Sequence, residues 1–111
     1  MVATYVPDAG DVVWLQFDPQ AGQEQAGHRP ALVLSPARYN AVRGMLIACP
    51  MSSQIKGYPF EVVADRHPPS VILADQVKSL DWRTRRATHK GRVPAEVLAE
   101  VLAKLRVLLQ L

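Results

Sequence analysis

The stretch Arg29-Pro30-Ala31-Leu32-Val33-Leu34-Ser35-Pro36 decides the fold that the sequence predicts. Its apolar centre is four residues long and is bounded by proline and serine, which is typical of a buried central strand. Similar short runs precede and follow it, with turn residues between them. We predict strands over residues 10–17, 31–34, 44–50, 60–63 and 71–74. This regular succession favours a small barrel or sandwich over alternating strands and helices.

The C-terminal part of the sequence changes to a helical period, which predicts an amphipathic helix. Pro94 suits its first turn, and Glu100 and Lys104 lie off the apolar stripe. We expect this stripe to cover one opening of the barrel. Its members are Val97, Leu98, Val101, Leu102, Leu105, Leu108 and Leu109. Residues 1–111 are therefore expected to form a single, mainly β domain with a C-terminal helix.

The composition is that of a globular protein, with 49% hydrophobic and 21% charged residues. The sequence has no apolar run of transmembrane length, and its first residues lack the pattern of a signal peptide, so we expect a cytoplasmic protein without membrane contact. The single cysteine, Cys49, lies in an apolar run and is interpreted as a buried strand residue without a catalytic role. The three histidines are scattered in the sequence, so we predict no metal site and no cofactor.

Positive charge is concentrated in the second part of the chain. The first 28 residues contain no Lys or Arg, whereas residues 78–92 contain six against one Asp. Trp82 lies inside this basic run and is a candidate stacking platform, a pattern that suits single-stranded nucleic acid. The same pattern is typical of a solvated pair of strands, and the surface would also attract an acidic protein.

The segment Glu24-Gln25-Ala26-Gly27-His28-Arg29-Pro30 predicts a phosphodiester site. Glu24 could accept a proton, His28 could carry one near neutral pH, and Arg29 could hold a phosphate with two parallel donors. RNA supplies its own nucleophile, the 2′-hydroxyl, so this chemistry does not demand a metal. The alternative interpretation is a polar hairpin loop whose charges are merely solvated.

Several ordered motifs together resemble the MazF/PemK family of toxin endoribonucleases, which belong to bacterial toxin–antitoxin pairs. The resemblance covers essentially the whole chain. It implies an SH3-like β-barrel, a homodimer and metal-independent cleavage of single-stranded RNA at short sequences, with an acidic antitoxin of the MazE type as partner. The motifs are Pro7-Asp8-Ala9-Gly10-Asp11, the segment from Glu24 to Pro30, Lys56-Gly57-Tyr58-Pro59-Phe60-Glu61-Val62 and Ala74-Asp75-Gln76-Val77-Lys78-Ser79.

The resemblance also implies roles for single residues. It makes Arg29 the essential arginine, Ser52 the hydroxyl beside the scissile phosphate and Glu24 a candidate base. Relatives often carry threonine at the position of Ser52, and whether Ser52 or the neighbouring Ser53 faces the phosphate stays open. The RNA-binding residues that we expect are His28, Ser53, Lys56, Gln76, Lys78, Trp82, Arg83, Arg85 and Arg86.

Two other function classes fit a small barrel. Gyrase-poisoning toxins share this architecture and bind a protein, but they look to an aromatic C-terminal end for target contact, which residues 108–111 do not offer. A noncatalytic RNA-binding barrel is the other class, and the presence of both Arg29 and Ser52 argues against it. Incubation with labelled RNA separates binding from cleavage.

Overall fold

A computed structural model describes residues 4–16 and 28–111 of the chain. Within these residues, strands dominate the first 92 positions and the longer of two helices closes the chain. In chain order the elements are β1 (Asp11–Gln16), β2 (His28–Val33), α1 (Ala37–Arg43), β3 (Met45–Ser52), β4 (Glu61–Arg66), β5 (Pro69–Leu73), a 3-10 turn (Ala74–Gln76), β6 (Lys78–Asp81), β7 (Thr88–Arg92) and α2 (Ala95–Leu109).

The strands form an antiparallel sheet in the order β4-β5-β3-β2-β1-β7, and β6 also pairs with β3. On the side of β3 away from β2, the first residues pair with β6, while Met51 and Ser52 pair with β5. Because one strand serves two neighbours on the same side, the sheet bends into a half-barrel. The prediction of a mainly β, SH3-like fold with a C-terminal helix is confirmed.

Both faces of the central strands are buried, which explains the continuous apolar run at their centre. Leu32 packs with Ile72 and Val101 in one hydrophobic cluster. Its neighbour Val33 points to the opposite face and packs with Leu15 in a second cluster. Each such side chain contributes roughly 1.5–3 kcal/mol when it leaves water.

Helix α1 was not predicted from the sequence. It begins after Pro36 and ends at Gly44, whose φ of 69° is the left-handed conformation that glycine adopts without strain. It is only seven residues long, and its buried residue is the polar Asn40. An apolar stripe, the usual sign of a helix, is therefore missing.

The side chain of Asn40 holds the N-terminal segment against α1. Its amide group donates hydrogen bonds to the carbonyl oxygens of Pro7, at 2.8 Å, and Ser35, at 3.0 Å. The Ser35 hydroxyl donates to Asn40 Oδ1 at 2.6 Å, and the Trp82 indole donates to the Asn40 backbone carbonyl at 2.9 Å. The fully buried side-chain amide is thus satisfied by Pro7 and Ser35, and the backbone carbonyl of the same residue binds Trp82.

Helix α2 forms as predicted, with Pro94 at its N-cap, but its stripe is only partly covered. Val101 and Leu105 are buried against the sheet, and Val97 and Leu98 pack beside them. The expectation that Leu102, Leu108 and Leu109 are covered as well is wrong, because these three side chains are exposed. The helix contacts β4 and the 3-10 turn, which cover only one narrow side of it.

The basic run forms β6 and β7, joined by a turn. The interpretation as two solvated strands therefore describes its local structure. The two strands have different neighbours in the sheet, since β6 is hydrogen-bonded to β3 and β7 to β1. Among the described residues, no helix is long and apolar enough to cross a membrane.

Candidate active site

The candidate site lies where β2 and β3 separate. Their pairing runs from Val33 opposite Ala48 to Ala31 opposite Pro50. Beyond this point β3 still pairs with β5 on its other side but no longer pairs with β2. The next residue of β2 is Pro30, which has no N–H group to continue the hydrogen-bonded ladder. A groove opens between the two strands.

This groove has a volume of about 780 Å³ and is open to solvent. Both separated strands, the β4–β5 turn and β7 contribute to its walls. Its cations are Arg29 and Lys90, and the described part of the chain places no carboxylate in its lining, so the groove suits an anionic ligand. The lining residues are His28, Arg29, Pro30, Met51, Ser52, Ser53, Gln54, Pro68, Pro69, Ser70 and Lys90.

Arg29 and Ser52 line the same groove, and the strand register accounts for this. If the β2–β3 register is continued by two residues, Arg29 lies opposite Ser52, and opposite residues point to the same face. Arg29 is exposed and Ser52 is half-buried. The Ser52 hydroxyl oxygen accepts a hydrogen bond from the backbone N–H of Gln54 at 3.1 Å, which leaves its proton available to donate. A guanidinium and a hydroxyl thus line the same groove.

The predicted residues His28 and Ser53 also line this groove, whereas Glu24 lies outside the described residues. His28 is exposed at the start of β2, opposite Gln16 of β1. Ser53 directly follows β3 and is exposed. The structure therefore brings four of the predicted residues, from two segments of the sequence, to one groove.

Lys90 lines the groove although it was not among the predicted RNA-binding residues. In the β1–β7 pairing, Val12 lies opposite Gly91 and Val13 opposite His89, so Lys90 is the extra residue of a β-bulge. Its ammonium group lies over the ring of Trp14, 5.3 Å from the centroid. Its place in the basic run was the only sequence signal, since a bulge leaves no pattern that distinguishes this lysine from its neighbours.

Trp82 is a correction to the predicted site. Its side chain is only 5% exposed, its indole N–H is bonded to Asn40, and the Arg83 guanidinium lies 5.0 Å above its ring. A ring covered in this way has no free face on which a base could stack. The expected stacking role of Trp82 is therefore wrong, and its function is to anchor the β6–β7 turn in the core.

The arginines of the β6–β7 turn do not line the groove. Arg83 donates a hydrogen bond to the carbonyl oxygen of Ala41 at 2.6 Å, near the end of α1. Arg85 contacts the carbonyl oxygen of Gln16 at 3.3 Å, and Gln16 is the β1 partner of His28. Arg86 is exposed and has a positive φ of 56°. Of these three, Arg85 contacts β1, the strand that pairs with the groove strand β2.

Lys56, Gln76 and Lys78 are also exposed outside the lining of the groove. Lys56 is in the loop after β3, where the Glu61 carboxylate accepts hydrogen bonds from the backbone N–H groups of Lys56 and Gly57. Gln76 ends the 3-10 turn, and Lys78 begins β6. Their predicted RNA contacts require a ligand that extends beyond the groove.

The buried thiol of Cys49 agrees with the prediction of a core residue. Burial raises the pKa of this thiol to about 12, with a smaller contribution from the Asp75 carboxylate. A thiol with so high a pKa is a poor nucleophile at neutral pH. Within residues 4–16 and 28–111, no three His, Cys, Asp or Glu side chains are grouped as metal ligands would be.

The chain is similar to known toxins over nearly its whole length. It is 56% identical to the endoribonuclease toxin MazF of Escherichia coli (strain K12), over 98% of this chain and 99% of that protein. The structure of MazF from Deinococcus radiodurans is 59% identical and has a TM-score of 0.86, with 97% of this chain and 100% of that chain covered. A MazE–MazF structure (Form-II) from the same organism is 59% identical with a TM-score of 0.91, covering 97% and 99%.

A family model described as PemK-like, MazF-like toxin of type II toxin–antitoxin system matches residues 8–109. This match includes both strands that form the groove and the terminal helix. The chain therefore belongs to the PemK-like, MazF-like family of toxins of type II toxin–antitoxin systems.

Proposed function

We propose that this chain is a sequence-specific endoribonuclease toxin that cleaves single-stranded RNA without a metal ion, and that the groove between β2 and β3 is its active site. The observation that carries the proposal is that Arg29 and Ser52, which come from two different strands, both line the same groove. The endoribonuclease names of the similar toxins support the reaction class. We place this reaction in the cytoplasm, where messenger RNA is translated.

The cleavage proposed here begins with attack of the 2′-hydroxyl oxygen on the adjacent phosphorus. The bond from phosphorus to the 5′-oxygen then breaks, leaving a 2′,3′-cyclic phosphate and a 5′-hydroxyl end. One proton leaves the nucleophile and one proton joins the 5′-oxygen, so a base and an acid are required. Glu24 and His28 are the candidates for these transfers.

Arg29 stabilises the charge that develops on the phosphate in this mechanism. Its guanidinium remains protonated and can donate two parallel hydrogen bonds to two phosphate oxygens. The Ser52 hydroxyl adds a third donor from the opposite strand. Donors fixed before the reaction need little rearrangement when the charge develops, so each can contribute several kcal/mol to the rate.

The proposal predicts cleavage of single-stranded RNA in excess EDTA, because no step requires a metal. Cleavage should stop when the 2′-hydroxyl at the cut position is replaced by hydrogen, since this removes the nucleophile. Purified protein is incubated with labelled RNA, the cut ends are sequenced to map the site, and the terminal groups are identified by mass.

Three results of this experiment contradict the proposal. A 5′-phosphate product excludes attack by the 2′-hydroxyl, and activity that returns only with added divalent metal excludes a metal-independent reaction. RNA binding without cleavage identifies a noncatalytic RNA-binding barrel instead. A 2′-deoxy substitution one nucleotide away from the cut serves as the matched control and should leave cleavage intact.

The proposal includes a twofold homodimer and an acidic antitoxin. Exposed apolar side chains on α2, among them Leu102, Leu108 and Leu109, favour pairing of two copies. The cationic groove favours a partner segment rich in carboxylates, and a disordered segment can fold along such a surface. MazE is the partner of the similar toxin in the Deinococcus radiodurans complex.

We expect light scattering to give twice the chain mass for the protein alone. Titration with an acidic partner encoded beside this gene should then stop RNA cleavage, with an attraction that weakens as salt rises. A monomer at micromolar concentration with full activity contradicts the dimer. A stable complex that cleaves RNA at the full rate contradicts a partner that occupies the groove.

A further inference from the structure

Two features hold Lys90 in the groove. It is the extra residue of the bulge between β1 and β7, and its ammonium group lies over the Trp14 ring. Bulges often turn a side chain toward a functional site. The indole face attracts the ammonium group, while the lysine side chain as a whole stays exposed and lines the groove.

The order of the strands separates Lys90 from Arg29. Trp14 of β1 lies between Pro30 of β2 and Thr88 of β7, so β7 is two strands away from β2. Neighbouring strands are about 4.8 Å apart, and the bulge at Lys90 also lies two to three residues along β1 from Leu15, the partner of Arg29. With a rise of about 3.3 Å per residue, the backbones of these two cations are roughly 13 Å apart. Both side chains are long and line the same groove, so their charged ends can contact two different phosphates of one extended strand.

We infer that Lys90 binds a backbone phosphate next to the scissile one and so positions the RNA on Arg29 and Ser52. This inference rests on the proposed function. An ammonium group carries three donors and a compact charge, which match a phosphate without selecting a base. Because the neighbouring phosphate keeps its charge throughout the reaction, Lys90 is a positioning residue that contributes equally before and during cleavage.

The variant Lys90→Met tests this role because it removes the charge and keeps an unbranched side chain of similar length beside Trp14. The probe is an oligoribonucleotide with the mapped cleavage site and a 2′-deoxy substitution that prevents cutting. We expect its Kd to rise roughly fivefold, and the slope of log affinity against log salt to fall by about 0.7, the value for one phosphate contact on a single strand. With cleavable RNA, KM should rise while kcat stays within about twofold.

Two further variants show whether the effect belongs to Lys90. Lys90→Arg keeps the charge and should restore most of the affinity. Arg38→Met removes one positive charge from α1, outside the lining of the groove, and should leave affinity and salt slope unchanged. An equal loss in Arg38→Met would assign the effect to net charge alone and would overturn the inference.

Uncharged methylphosphonates placed at one linkage at a time then identify the phosphate. In the parent protein, substitution at one linkage beside the cut should weaken binding about as much as Lys90→Met does. In Lys90→Met the same substitution should cause no further loss. The assignment is refuted if the linkage whose effect disappears in Lys90→Met is the scissile one, or if every linkage causes the same loss in both proteins. It is also refuted if Lys90→Met weakens binding of the acidic partner and leaves RNA binding unchanged.

The binding experiment also separates this inference from the proposed function. If the parent protein binds RNA but fails to cleave it, the proposed function fails, while the affinity and salt slope measured with an unmodified single-stranded oligoribonucleotide still report on Lys90. If the parent cleaves and Lys90→Met binds and cleaves as the parent does, the inference alone fails.

Discussion

Replacement of Arg29 by alanine should lower the single-turnover rate of RNA cleavage by about a thousandfold. The variant loses the donors that face the phosphate when its negative charge increases, and loss of one such donor typically costs a hundredfold to a thousandfold. Arg29→Lys should recover only part of this loss, because lysine keeps the charge without the planar pair of donors. Rates are measured with protein in excess over RNA.

Serine variants and one arginine variant serve as controls for this result. Ser52→Ala should lower the rate about tenfold to a hundredfold, and Ser53→Ala should lower it less, because the continued register places only Ser52 opposite Arg29. Arg38→Ala removes an exposed guanidinium outside the groove lining and should leave the rate within about twofold. Folded Arg29→Ala protein with the parent rate would exclude the assigned role.

Replacement of Asn40 by alanine should lower the free energy of unfolding by about 3 kcal/mol or more. The side chain is fully buried, and its loss leaves the carbonyl oxygens of Pro7 and Ser35 without their amide partner. Each unsatisfied buried group costs about 1–3 kcal/mol. The melting temperature should fall by roughly 10 °C or more.

Val42→Ala is the matched control for Asn40→Ala, because Val42 belongs to the same short helix and is 82% exposed. This change should alter the free energy of unfolding by less than about 0.5 kcal/mol. Both variants are compared by denaturant titration and by thermal melting. A stability of Asn40→Ala within that same range would show that the network does not hold α1 in place.

Much of the fold could be predicted from the sequence because burial leaves a period in the chain. The run 31–34 is continuously apolar since its two faces enter two different clusters, and Val101 and Leu105 follow the period of a helix that covers the sheet. Helix α1 left no such period, because a polar network around Asn40 stabilises it. Leu108 and Leu109 follow the helical period and were predicted to be covered, but they are exposed. The hydrophobicity of a residue does not show which part of the protein covers its side chain.

Some of the residues that line the groove could be predicted from the sequence and others could not, while their catalytic roles stay predictions. Arg29 and Ser52 could be named from motifs, and the strand register explains why two distant motifs meet. Trp82 could not be recognised as buried, because an aromatic residue among arginines is typical both of a stacking surface and of an anchored turn. The position of Lys90 in the groove depends on a β-bulge, and a bulge cannot be recognised from the residue types in the sequence.

Pro30 has a consequence for the energetics of ligand binding. Two strands that separate at their ends normally expose matching donors and acceptors, which can rejoin and close the gap. At Pro30 the missing N–H removes one of these donors, so the two edges have less to gain by rejoining. The gap is therefore present before any ligand arrives, and binding does not first have to break main-chain hydrogen bonds there. A site that is open in advance leaves more of the interaction energy for affinity and for discrimination between ligands.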